Sequence, residues 1–158
     1  MIQITDRLVK KMEYHAERTY PEECCGILLG RSEEGSHFIQ DCLELDNRQD
    51  ENRRRRFLIT PDQYRDAEQI AKKMRSELLG FYHSHPDHPA EPSVFDRDHA
   101  LPWFTYLILS VNQGHAATLT AWQLNEHHTQ FLEQTLIMEH SSILSSKLPF
   151  KSSVHLTL

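Results

Sequence analysis

Apolar residues recur along this chain with two periods, and the switches between them divide it into helices and strands. Leu8, Met12 and Ala16 repeat every four residues with Val9 beside them, which predicts an amphipathic helix over 5–19 that Pro21 stops. The apolar run Gly26 to Gly30 predicts a buried strand. A second strand follows from Phe38 to Leu45, with Ile39, Leu43 and Leu45 on one side and Glu33-Glu34-Gly35-Ser36 as the turn between the two. Thr60-Pro61-Asp62-Gln63 reads as a helix start: Thr60 caps, Pro61 wastes no donor, and Gln63 reciprocates. Tyr64, Ala67, Ala71, Met74 and Leu78 then carry that helix to Gly80. Phe81 to His85 is expected to be a strand whose pairing Pro86 ends. Ser93 opens a short helix through about Ala100, which Pro102 stops. Thr105 to Val111 is almost continuously apolar, as a central strand covered on both faces requires. Asn112-Gln113-Gly114 turns the chain into two further strands, 116–124 and 129–138, joined by a loop with Glu126, His127 and His128. No repeat or linker interrupts this order. The expectation is one α/β domain over 1–138 followed by a Ser-rich tail over 139–158.

Composition narrows the setting. At 158 residues the chain can bury a core without cross-links. Cys24, Cys25 and Cys42 do not make a disulfide framework and lack the paired spacing of a zinc ribbon, so a reducing cytoplasm is expected. The opening Met1-Ile2-Gln3-Ile4-Thr5-Asp6 has no basic start before an apolar run, so no secretory signal is expected. No apolar stretch is long enough to span a bilayer. A formal charge of −6 argues against general nucleic-acid affinity. Arg53-Arg54-Arg55-Arg56 is the local exception. Following the charged and polar stretch Asp46 to Asn52, it reads first as a solvated loop and second as a surface that steers an acidic partner.

The candidate chemistry lies between residues 83 and 96. In a strand, His83 and His85 point to one face and offer two nitrogens to one cation. Asp96 lies just past the loop His88-Pro89-Ala90-Glu91-Pro92, which is long enough to bring its carboxylate back over them. Three protein ligands leave a tetrahedral position open, the mark of a catalytic zinc rather than a structural one. Ser93 and Asp96 also suit the cap and first turn of a helix, and the two roles are compatible.

These residues resemble the JAMM motif of the MPN-domain metalloproteases, in which a distant Glu precedes His-Ser/Thr-His, seven residues, Ser, two residues and Asp. The chain fits that pattern from His83 to Asp96 without a gap. Upstream, Pro21-Glu22-Glu23-Cys24-Cys25-Gly26-Ile27-Leu28-Leu29-Gly30 is similar to the family's Glu-bearing segment, and Arg56 to Pro61 resembles the passage into its second helix. The resemblance implies a mixed, curved β-sheet flanked by helices, of cytidine-deaminase-like architecture. It also implies one zinc ion on His83, His85 and Asp96, with Glu23 and Ser93 as catalytic residues. Glu22 stands beside Glu23; in extended backbone the two face opposite ways, and the family spacing selects Glu23. The compact spacing is similar to that of short bacterial members associated with ubiquitin-like sulfur-carrier proteins, cut after their C-terminal Gly-Gly.

The expected reaction is hydrolysis of a peptide or isopeptide bond, with Glu23 as general acid and base and Ser93 as donor to the oxygen that turns anionic. One rival is a non-catalytic MPN scaffold that binds a ubiquitin-like partner, but such modules generally lack part of a ligand set that is complete here. A zinc nucleoside deaminase would need a Pro-Cys-x-x-Cys segment, which the chain does not have. His88, His99, His115, His127 and His128 are read as surface residues, with His88 and His99 flanking the site.

Overall fold

The computed structural model describes residues 1–49 and 52–140, and these form one mixed sheet of eight strands with helices on its faces. Most of the expected tail, 141–158, lies outside the described residues. The chain opens on β1 (Ile2–Thr5), a strand absent from the sequence reading because its four residues run straight into a helix. Ile2 and Ile4 are buried while Gln3 and Thr5 are half-buried, the alternation of a strand. Thr5 then caps α1 (Asp6–Thr19), its hydroxyl accepting from Leu8 N at 3.4 Å. Leu8, Val9, Met12 and Ala16 are all buried, as their spacing predicts. Each of the larger ones contributes about 2 kcal/mol of apolar burial.

β2 (Cys25–Glu33) and β3 (Ser36–Leu45) form a hairpin about Glu34 and Gly35, whose positive φ angles of 48° and 75° suit a tight turn between twisted strands. α2 (Pro61–Lys73) begins with the expected capping box between Thr60 and Gln63. Its end corrects the sequence reading, because the helix stops at Lys73 rather than Gly80. Arg75 takes a left-handed φ of 54°, and its N–H and that of Ser76 bond back to the carbonyls of Lys72 and Ala71. That is a Schellman ending with arginine where glycine is usual, so the ordinary stop signal is missing. Leu78 therefore belongs to β4 (Glu77–Pro86), and Met74 is exposed. Pro86 remains opposite Val111 instead of ending the ladder.

The connection after β4 carries α3 (Val94–His99), and β5 (Thr105–Asn112) returns parallel to β4. β5 is buried along nearly its whole length, as a strand covered on both faces must be. Gly80 permits the close pairing here: a Cβ would lie 1.9 Å from the Thr105 carbonyl oxygen, at a φ of 153°. β6 (His115–Leu124) follows, but the single strand expected over 129–138 is two, β7 (Phe131–Glu133) and β8 (Leu136–Glu139). They form opposite edges of the order β7-β6-β5-β4-β2-β3-β1-β8. Gln134 N donates to Ala121 O while Ile2 N donates to Thr135 O, so the sheet curls until its two edges meet at consecutive residues.

Two cores result. Tyr82 packs with Leu8, Met12 and Ala16 beneath α1, whereas Phe81 packs with Ile27, Leu29, Ala67 and Ala71 beneath α2. The alternation carries His83 and His85 to the α2 side, at the carboxyl end of β4 where it neighbours β5. No helix among the described residues is long and apolar enough to cross a membrane.

Candidate metal centre

His83, His85 and Asp96 come together as the spacing predicts, all three buried. His83 Nε2 and His85 Nε2 are 3.0 Å apart, His83 Nε2 is 3.4 Å from Asp96 Oδ1, and His85 Nε2 is 3.5 Å from Asp96 Oδ2. A tetrahedral ion with ligands at about 2.0–2.1 Å separates them by roughly 3.3–3.4 Å, close to both imidazole–carboxylate spacings, each of which uses a different Asp96 oxygen, while the two imidazoles stand nearer than that. Two imidazole nitrogens facing each other this closely suit two lone pairs aimed at a shared cation. The His85 tautomer agrees: Nδ1 lies 2.7 Å from the Pro89 carbonyl oxygen, which fixes the proton there and leaves Nε2 free to ligate. His83 is held by a different device, the Phe57 ring stacked on it with centroids 4.2 Å apart.

α3 delivers Asp96 through its own cap. Ser93 Oγ accepts from Asp96 N at 3.1 Å, and Asp96 Oδ2 accepts from both Ser93 N and Ser93 Oγ at 2.6 Å. The capping box thus pins the carboxylate that the sequence assigns to the metal. Ser93 spends its donor on Asp96 in this geometry, so donation to a substrate oxygen requires the hydroxyl to rotate.

Glu22 and Glu23 lie ahead of β2 rather than in it, and burial separates them: Glu22 is exposed while Glu23 is 3% exposed. Its Oε2 has no hydrogen-bond partner. Burial pushes the carboxyl up to about 8, with His85 pulling it back and Asp96 raising it further. Burial lowers His83 below the usual imidazole value against the pull of Asp96. For His85 burial acts the same way, but Asp96, the Pro89 carbonyl and Glu23 outweigh it and raise the value. Burial opposes ionisation of Asp96 as well, yet the two imidazoles and Ser93 hold it well below the usual carboxylate range.

Three contributors have no counterpart in the sequence reading. Asn47 donates to the carbonyls of Glu23 and Arg56 and accepts from Gln49 N and Leu58 N, while Glu23 N donates to Arg53 O. Asn47 thereby ties the loop after β3 to the backbone of Glu23. Its bond to the amide two residues on is an Asx turn, the one local signal it offered. Phe57 and the Pro89 carbonyl act through contacts that no local pattern encodes. Beside Asp96 an apolar cavity of about 410 Å³ opens between α2 and α3, walled by Phe57, Ile59, Tyr64, Phe95 and Leu101. His99 borders it, stacked on Phe95 with centroids 4.0 Å apart. Cys24, Cys25 and Cys42 are buried, free thiols.

This fold agrees with what comparison finds. Residues 5–125 match the profile of prokaryotic homologs of the JAB domain. The chain belongs to that family, which bears out the resemblance drawn from the motif. Tail tip assembly protein K of Escherichia phage N15 is 30% identical over 109 residues, 66% of this chain and 39% of that protein. The desampylase of Haloferax volcanii is 31% identical over 91 residues, 57% of this chain and 63% of that protein. The chain thus spans less than two thirds of either relative's length. Among solved structures, a protein from Desulfitobacterium hafniense superposes with a TM-score of 0.78 at 27% identity, over 89% of this chain and 94% of its own. A protein from Salinibacter ruber gives 0.69 at 36% identity, over 98% and 99%.

Proposed function

We propose that the chain is a zinc-dependent hydrolase that cuts the peptide or isopeptide bond after the C-terminal Gly-Gly of a ubiquitin-like or sulfur-carrier protein. One observation carries this reading: three candidate ligand atoms converge within 4.8 Å of one another, with a buried Glu23, one oxygen unpartnered, close enough for the charges of His85 and Asp96 to act on it. Membership of the JAB family and likeness to a desampylase support a hydrolase acting on ubiquitin-like proteins.

His83, His85 and Asp96 would hold the ion, which when bound supplies a hydroxide nucleophile at neutral pH and polarises the scissile carbonyl. The chain's own residues do the rest. Glu23 accepts the proton of the attacking water on its carboxylate and passes one to the leaving nitrogen, and its buried setting raises its basicity for that task. A cation in the site lowers its pKa from the metal-free value and keeps it available as the base. Ser93 turns its hydroxyl to the carbonyl oxygen as negative charge gathers there, a donor worth roughly 3 kcal/mol in comparable sites. Asn47 and the Arg53 carbonyl hold the Glu23 backbone during the transfer.

The test combines metal analysis with turnover. Purified chain should contain one zinc per molecule and release the extension from a carrier extended beyond Gly-Gly, and a chelator should stop it. Mass spectrometry of the product locates the cut. Stoichiometric zinc with no cleavage of any carrier in a broad panel would leave a metal-binding scaffold instead.

A further inference from the structure

We propose that the Arg53–Arg56 loop docks carboxylates of the protein substrate at the mouth of the metal centre, so that the substrate is acidic next to its scissile tail. The inference rests on the hydrolase reading and adds a partner chemistry to it. The loop is pinned at both ends to the site: Arg53 O accepts from Glu23 N at 2.8 Å, and Phe57 stacks on His83 with centroids 4.2 Å apart. Arg54, Arg55 and Arg56 therefore run between the base and the first metal ligand, and all four arginines are exposed. The Arg56 guanidinium lies over the Phe95 ring, 5.0 Å from its centroid, and Phe95 directly precedes Asp96 in α3.

Among the described residues no ion pair engages any of the four, although Arg53 Nε donates to Gln49 O at 2.6 Å; Arg18, Arg31 and Arg97, by contrast, each hold a carboxylate. Neighbouring acids are already occupied: Asp46 pairs with Arg48 at 3.9 Å, and Asp87 accepts from Tyr20 Oη and Gln113 N. Asp50 and Glu51, which precede the run in sequence, lie outside the described residues. In a chain of formal charge −6, open guanidinium groups gathered at the site mark it as the place where a negatively charged partner approaches. The loop is fixed to Glu23 and His83, so it would meet carboxylates on the residues just before the Gly-Gly of an extended tail. Phosphates of a nucleic acid would also meet arginine, but the net charge opposes a long polyanion. An acidic polypeptide is the better match.

The probes are three fluorescein-labelled peptides that share a Gly-Gly-Ser segment and carry Glu, Ser or Lys at the three positions before it. Anisotropy titrations use the full chain carrying Glu23→Gln, which removes the base and keeps the loop. At about 50 mM NaCl the Glu peptide should bind about tenfold tighter than the Ser peptide, and the Lys peptide weakest. That preference should vanish at about 500 mM NaCl and in Arg54→Ser/Arg55→Ser, and persist in Arg54→Lys/Arg55→Lys, which keeps the charge. Equal affinities, or no binding of any peptide, overturn the proposal. Tighter binding of a labelled single-stranded DNA than of the Glu peptide also overturns it, in favour of a nucleic-acid surface. Hydrolysis by the unaltered chain is scored separately. A Glu preference without cleavage of any carrier removes the hydrolase reading alone, while cleavage without the preference removes this one alone.

Discussion

Two buried histidines, one on each face of the sheet, separate packing from chemistry. His15, on α1, is 6% exposed; its Nδ1 meets Tyr82 Oη at 2.9 Å and its Nε2 lies 3.8 Å from Glu44, which also binds Arg18. Both ring nitrogens have protein partners, and the residue reads as internal glue. His83 is 1% exposed, yet its Nε2 faces another imidazole and a carboxylate while its Nδ1 has no partner. Glu23, also buried, leaves Oε2 without a partner as well. Burial alone marks neither residue as functional. Two imidazole nitrogens and a carboxylate that converge beside an unpartnered buried glutamate oxygen do, because such groups are costly unless something else completes them.

Substitutions can break that contrast, and the largest effect belongs to the metal side. His83→Ala should reduce bound zinc and carrier cleavage to background, read by metal analysis of dialysed protein beside a cleavage assay. Next comes Glu23→Gln: turnover should fall about 10²–10⁴-fold while zinc stays stoichiometric. Full activity in that variant would remove Glu23 as the base. His15→Ala should behave in the opposite manner, leaving zinc content unchanged but lowering stability by about 2–3 kcal/mol in a urea titration, since it opens a cavity and strands the Tyr82 hydroxyl. If it lost zinc instead, the two faces would be coupled and the contrast would fail. Acidification sharpens the same comparison: ligation needs both imidazoles neutral, so zinc should be released as pH drops below about 6. The smallest effect is Thr60→Ala, about 1 kcal/mol from the cap of α2, with no change in zinc content.

How much of the site was legible follows from how local its signals are. The candidate triad was readable because β4 carries two of its members at spacing two and the capping box of α3 carries the third, each set by near neighbours in sequence. Choosing Glu23 over Glu22 came from family spacing. The structure adds a physical distinction, for one is buried and the other exposed. Asn47, Phe57 and the Pro89 carbonyl were invisible because their partners are set by how the loops fold over the sheet. The fold divides in the same way. The extent of α1 and the start of α2 were read correctly from the apolar stripe, Pro21 and Thr60, but the end of α2 was not, since Arg75 ends the helix without a glycine.

By itself the sequence determined the periodic elements, the helix caps and the spacing that brings two imidazoles and an aspartate together, because these depend on covalent geometry and on contacts within a few residues. Only the tertiary structure decided that 129–138 splits between the two edges of a curled sheet, and that a loop from β3 to α2 arches from Glu23 to His83 and carries four exposed arginines. Those outcomes depend on which distant backbone groups are free to pair once the sheet closes on itself, and no short stretch of sequence carries that information.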